Sequence, residues 1–280
     1  MPHAPTITTY VDEFPCPRVE VFFPSLASGT VTVTVYRLAA GREFEMRGAV
    51  NAATGGTLTR IDFEVPFNVP VTYRALMFDE DGLPIGYTDP TETTVESPYT
   101  WLHNPLDPSG AVHVRALAGT ADEISRPVPL TIARPLGRRV GVALAEPRLG
   151  VAGLVYNVYA PDLATADKVQ GLLGDYRSAT VPVVCIRIGQ EDEPMRIPRP
   201  LFLGTAAIIE RDVGVRMGTG TTRHDMVGDE VAPPIPGLFI PLLTAADINA
   251  YYATAAVLNG DNLTGSAVNR RYDLAGYATA

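Results

Sequence analysis

The chain has 280 residues and a mass of 30.0 kDa, more than the roughly 100–150 residues of a typical domain, so two medium domains are expected. With 46% apolar and 19% charged residues there is ample material for real cores, which excludes disorder as a global description. The 31 acidic against 22 basic residues give a net charge of −9. Such a surface repels phosphate backbones and anionic lipid heads. The longest arginine runs are the pairs Arg138-Arg139 and Arg270-Arg271, too short for a basic stripe, so specific nucleic-acid binding is not expected.

No apolar run approaches the ~20 residues of a membrane helix, and the start Met1–Thr6 lacks a basic region followed by an apolar core. The expectation is a soluble protein made in a cytoplasm, without membrane insertion. Lys168 is the single lysine among many arginines, which reflects a GC-rich genome and not a mechanism. Cys16 and Cys185 are far apart and share no metal-ligand spacing, so both are expected to be buried free thiols. The 25 prolines and 25 glycines punctuate short strands.

From Arg18 to Glu96 the chain reads as strands of alternating face. Val19, Val21 and Phe23 fall on one side, and after the Ala27-Ser28-Gly29 turn Val31, Val33 and Val35 do the same, with Thr32, Thr34 and Tyr36 outward. Over Leu58–Val65 the same alternation puts Ile61, Phe63 and Val65 inside and Arg60, Asp62 and Glu64 outside. Val71–Phe78, Asp79-Glu80-Asp81-Gly82 and Leu83–Thr88 then read as strand, tight turn and strand. Strands at this spacing predict a β-sandwich of immunoglobulin or fibronectin III type over 1–98, with the fibronectin-like variant preferred because the Cys…Trp…Cys markers are missing.

Turn formers at Ser97-Pro98 and Asn104–Gly110 mark a boundary, with Trp101 either wedged in the junction or in the second core. Beyond it, strands are expected at Gly137–Leu144, Leu154–Tyr159, Thr180–Ile188 and Phe202–Glu210, with a short amphipathic helix over Pro161–Gly174. Region 99–241 is thus a β-rich α+β domain with one or two short helices, and the whole chain is mainly β. In 242–280 a helix is expected with Thr244 as N-cap, Asp247 in a capping-box position and Ile248, Tyr251, Tyr252, Ala255 and Leu258 on one stripe. Asn259-Gly260 ends it, and the polar tail behind it is expected to order against a partner.

Reactive constellations are hard to find. His3, His103, His113 and His224 have no metal-ligand spacing, and there is no Gly-x-Ser-x-Gly elbow. Cys185 lies in an apolar strand, where a thiol stays protonated and inert. Asp79–Gly82 fails as a calcium loop because Leu83 and Pro84 stand where an oxygen ligand and glycine are needed. Glu191-Asp192-Glu193 reads as a solvated acidic loop. Gly218-Thr219-Gly220-Thr221-Thr222-Arg223 lacks phosphate-loop spacing and reads as a mobile loop, with Arg211, Arg216 and Arg223 too irregular for an anion cradle. No catalytic, cofactor-binding or metal-ligating residue and no cofactor are expected.

The passage Arg134-Pro135-Leu136-Gly137-Arg138-Arg139, two strands through Tyr159, a helix ending Leu172-Leu173-Gly174, the strand Val183–Arg187 and a later strand from Phe202 form a β-β-α-β-β order. With the Asp-Gly hairpin of the first domain, this resembles minor tail proteins of long-tailed actinobacterial phages, which join a fibronectin- or immunoglobulin-like domain to a distal-tail-protein-like domain. The chain departs from that pattern at Glu191-Asp192-Glu193-Pro194, where the family often carries aromatics, and from Leu242 onward. The resemblance implies a non-enzymatic virion protein of the tail, made in the host cytoplasm. Copies would form a ring or collar of three- or six-fold symmetry and meet other tail proteins (tube, hub and tape measure), with a host-surface glycan as a further contact. It also implies that the loops Glu191–Pro200 and Met217–Pro236 reach a neighbour. Two alternatives stand beside it: a glycan-binding module pair using Tyr36, Tyr73 and Tyr87, and a cell-wall polysaccharide hydrolase using Glu191 and Glu193.

Overall fold

The computed structural model describes residues 3–11, 14–174, 180–215, 218–237, 243–268, 271, 274 and 278. It is 41% strand and 13% helix, so the chain is mainly β. It divides into two compact units, one of Met1–Ser97, Pro105–Ala111 and Pro234–Ala280, the other of Pro98–Asn104 and Val112–Pro233.

In the first unit, β1 (Thr6–Tyr10), β2 (Arg18–Phe23) and β6 (Leu58–Asp62) form an antiparallel sheet in the order β1-β2-β6. A second sheet runs β4 (Arg42–Glu45), β3 (Thr32–Ala39), β7 (Val71–Phe78), β8 (Pro84–Tyr87), with β5 (Ala52–Ala53) on β3 and β9 (Thr91–Thr93) on β7. The sheets face each other: Arg37 of β3 and Tyr73 of β7 both reach Asp62 of β6. Val19, Val21, Phe23, Val33, Val35, Tyr73 and Ala75 are fully buried, as period two requires of a half-buried strand. The Asp79–Gly82 turn joins β7 to β8, with Asp79 accepting from the Leu83 and Asp81 amides and Gly82 at φ +74°, a left-handed value that glycine adopts without strain.

Three expectations fail here. Val31 is exposed, just ahead of β3, and Thr34, expected outward, is buried within it. In Leu58–Val65 the acids Asp62 and Glu64 are buried together with Phe63 and Val65, because a buried arginine, Arg37, supplies the charge that lets them leave water.

The strands β10 (Thr100–Asn104), β11 (Asp107–Ala116), β14 (Leu154–Ala160), β17 (Thr222–Glu230), β16 (Leu201–Asp212) and β15 (Val183–Arg187) close into a barrel in that order, all in the second unit except β11, which belongs to it from Val112 onward. Between β11 and β14 the chain makes a separate hairpin, β12 (Leu130–Ala133) and β13 (Val142–Ala145). Helix α1 (Leu163–Gly171) starts at Asp162, whose side chain accepts from the Thr165 amide, and sends Val169 and Leu172 into the barrel core beside Leu102, Leu154, Ile186 and Leu203. Trp101 is a buried residue of β10.

The expected strand over Gly137–Leu144 is half turn, since Pro135–Arg138 reverse the chain with Gly137 at φ +84°. Strands β10, β11 and β17 lie where turn formers or a mobile loop were expected. The Gly218–Thr221 stretch is the tip of the β16–β17 hairpin, closed by the Gly214 amide on the Thr221 carbonyl. Arg216 and Met217 lie outside the described residues.

The last 47 residues of the first unit, Pro234–Ala280, hold α2 (Ala245–Tyr251), α3 (Ala255–Asp261) and α4 (Gly265–Val268). The expected capping box is present, with Thr244 Oγ1 accepting from the Asp247 amide and Asp247 Oδ2 from the Thr244 amide. The single expected helix is split at Tyr252, which is extended and buried, because Thr254 caps a new start by accepting from the Val257 amide. Leu242 lies outside the described residues. Pro234 and Pro236, placed by the sequence in a reaching loop, accept through their carbonyls from Arg47 and the Gly48 amide.

Candidate functional site

The residues singled out as possible chemistry are dispersed by the fold. His3 bonds Ser25, His103 is buried in β10 opposite Cys185, and His113 packs on Tyr99 and Trp101 at centroid distances of 5.2 and 5.4 Å. Among the described residues no three His, Cys, Asp or Glu side chains group as metal ligands. Cys16 and Cys185 are buried free thiols.

The three adjacent acids turn to separate partners. Glu191 pairs with Arg115 at 3.1 Å, Glu193 with Arg199 at 3.5 Å, and Asp192 accepts from Thr100 Oγ1 at 2.6 Å. Burial pushes the nearby Tyr156 phenol well above its ordinary pKa, so it is a neutral core group. On the barrel exterior, burial raises the Asp225 carboxyl, but hydrogen bonds from Arg211 at 2.6 Å and Arg223 at 2.5 Å outweigh it and hold its pKa below the usual carboxylate range. These two arginines are committed to one acid. His224 is drawn down by burial more than Glu210 and Asp225 lift it, with Thr222 Oγ1 2.9 Å from Nε2 and Gln170 Nε2 3.4 Å from Nδ1.

Of the three tyrosines considered for sugar stacking, Tyr73 is fully buried with its hydroxyl on Asp62 and offers no face to a ligand. Tyr36 and Tyr87 stand together with centroids 6.2 Å apart, and the Arg74 guanidinium covers Tyr87 at 4.3 Å.

The feature that stands out is the β12–β13 hairpin. Its register sets Leu130 against Ala145, Thr131 against Leu144, Ile132 against Ala143 and Ala133 against Val142. Alternation therefore places Leu130 and Ile132 on one face and Leu144 and Val142 on the other, and all four are exposed. Val128, Leu136, Val140 and Leu149 extend the apolar surface. The hairpin is fastened at its base by the Leu149 amide on the Pro127 carbonyl, the Ala152 amide on Ser125, Arg148 on the Arg126 carbonyl and Arg126 on the Arg196 carbonyl. Arg134, Arg138 and Arg139 are exposed. Part of this stretch reads in the sequence as an ordinary strand; what sets it apart is an apolar run on both parities interrupted by arginines and Pro-Leu-Gly.

Comparison with protein-family models, with curated proteins and with solved structures finds no match to this chain.

Proposed function

We propose that the chain is a non-enzymatic structural component of a phage tail tip that assembles with copies of itself and connects the tail tube to the adsorption apparatus. The observation that carries this is the hairpin arm, apolar and exposed on both faces. A two-stranded ribbon is marginal in water without a layer against it, and contiguous apolar exposure marks an interaction surface. The dispersal of Glu191, Asp192 and Glu193 onto Arg115, Thr100 and Arg199 argues against the hydrolase alternative, which needs two carboxylates converging on one bond. An acidic chain also suits a passage through which DNA must slide without sticking.

Native mass measurement of the full chain tests the proposal. A closed ring of three or six copies, or incorporation only in the presence of other tail proteins, is expected. A stable monomer that retains a cell-wall oligosaccharide through Tyr36 and Tyr87 would replace it with the glycan-binding alternative.

A further inference from the structure

We infer that the β12–β13 arm docks on the acidic barrel of a second copy of this chain, in a head-to-tail contact guided by charge; this rests on the self-assembly proposed above and names its surface. The first ground is chemical complementarity within one sequence. Between Arg126 and Leu149 five arginines face a single acid, Glu146, a net of +4, while the rest of the same unit holds 13 acids against 9 basic residues, a net of −4. Arg134, Arg138 and Arg139 make no ion pair with any described residue, while Glu123, Asp167 and Asp229 of the same unit are exposed. A basic arm on an acidic body attracts its own kind.

The second ground is apolar. The outer faces of β14 and β17 place Val155 directly against Val227, both exposed, with Asp229 two residues along. This patch offers the arm an apolar floor with a carboxylate beside it. Duplex DNA would satisfy the arginines but leave Leu130, Ile132 and Leu144 in water, and would be repelled by the body. Because arm and patch are different surfaces, the contact is heterologous and repeats from copy to copy, closing into a ring when the rotation allows.

The test uses the full chain and two variants changed only at exposed positions, R134E/R138E/R139E and L130S/I132S/L144S. Sedimentation velocity is run between about 0.1 and about 1 M salt, over which the screening length falls from about 10 to about 3 Å. The parent chain is expected to self-associate more weakly as salt rises, and each variant to lose association by about tenfold or more with circular dichroism and thermal midpoint unchanged. Oligomers that persist in both variants would overturn the arm as the contact while leaving self-assembly intact. A parent chain that stays monomeric would overturn the arm contact, and the tail-tip reading would then stand or fall on incorporation in the presence of other tail proteins. Binding of a labelled DNA duplex that the arginine variant abolishes, without self-association, would reassign the arm to nucleic acid.

Discussion

The Arg37 guanidinium donates from Nη1 to both carboxylate oxygens of Asp62, at 2.6 and 2.8 Å, with side-chain exposures of 0% and 2%. Tyr73 donates its hydroxyl to Asp62 at 2.8 Å, Glu64 lies 3.7 Å from Arg37 Nη2, and Arg47 closes the set on Glu64 at 2.7 Å. Burial works against the Arg37 charge, but Asp62 and Glu64 outweigh it and hold its pKa above the ordinary value. The network joins the two sheets of the first unit through its interior.

Removing one partner strands the others. Arg37→Met leaves the buried Asp62 carboxylate without its guanidinium and Glu64 with Arg47, and a loss of about 3–5 kcal/mol is expected, read as a fall in the urea midpoint at unchanged slope. Asp62→Asn should cost less, since Glu64 remains to face Arg37. A double variant, Arg37→Met with Asp62→Leu, should be less destabilised than the sum of its singles; additivity would mean that the pair is not coupled.

This network also shows where the sequence was legible. Counting by two from Val33 and Val35 puts Arg37 on the inner face, and the same step through Leu58–Val65 puts Asp62 and Glu64 on one side. The periodicity was visible, but the assumption that charges face water put Asp62 and Glu64 outside, whereas both are buried along with Phe63 and Val65. In the second unit the continuous apolar β15 and the capped α1 were readable because local signals suffice for them. The barrel's β17, Thr-Arg-His-Asp-Met-Val-Gly-Asp-Glu, carries no apolar alternation to announce it; it is a strand because β14 and β16 pair with both its edges. The arm was half legible, its apolar residues being plain and their lack of a covering layer being a tertiary fact.

The tie at α2 predicts a local effect. Asp247 Oδ2 receives the Thr244 amide at 2.9 Å and hydroxyl at 2.6 Å, while Oδ1 receives the Ala278 amide at 3.0 Å. Thr244→Ala should cost about 1 kcal/mol, and because the two residues form one box, Thr244→Ala with Asp247→Ala should cost less than the two singles added. Limited proteolysis within 245–278 should speed up about fivefold for Thr244→Ala, the factor such a loss implies for a locally opening segment.

Acid should loosen the second unit through His224. A base whose folded pKa is driven below its ordinary 6.5 binds fewer protons folded than unfolded, so its contribution to stability is lost as pH falls below about 6.5. Asp225, held below its ordinary 3.8 by Arg211 and Arg223, acts in the same direction at lower pH: its contribution is present above that value and lost as pH falls through the folded pKa. His224→Gln should therefore flatten the fall of the urea midpoint between about pH 6.5 and 5 and leave the steeper loss below pH 4. An unchanged slope would show that the imidazole is not the titrating group.

Gly228 tests the barrel's closeness at β16–β17. It sits opposite Leu154 on one side and Thr205 on the other, beside the irregular register between Thr205 and Ile208. A Cβ there would overlap the Gly204 carbonyl and come within 3.2 Å of Leu203 Cδ1. The obstacle is backbone, which no rotamer change relieves, and Leu203 belongs to the barrel core. Gly228→Ala should thus cost about 1–3 kcal/mol as overpacking does, with the thermal midpoint of the full chain falling by several degrees. Gly237→Ala, where a Cβ meets nothing within 4 Å, is the matched control and should leave the midpoint where it is; equal behaviour of the two would show that β16 and β17 are not held as closely as their pairing indicates.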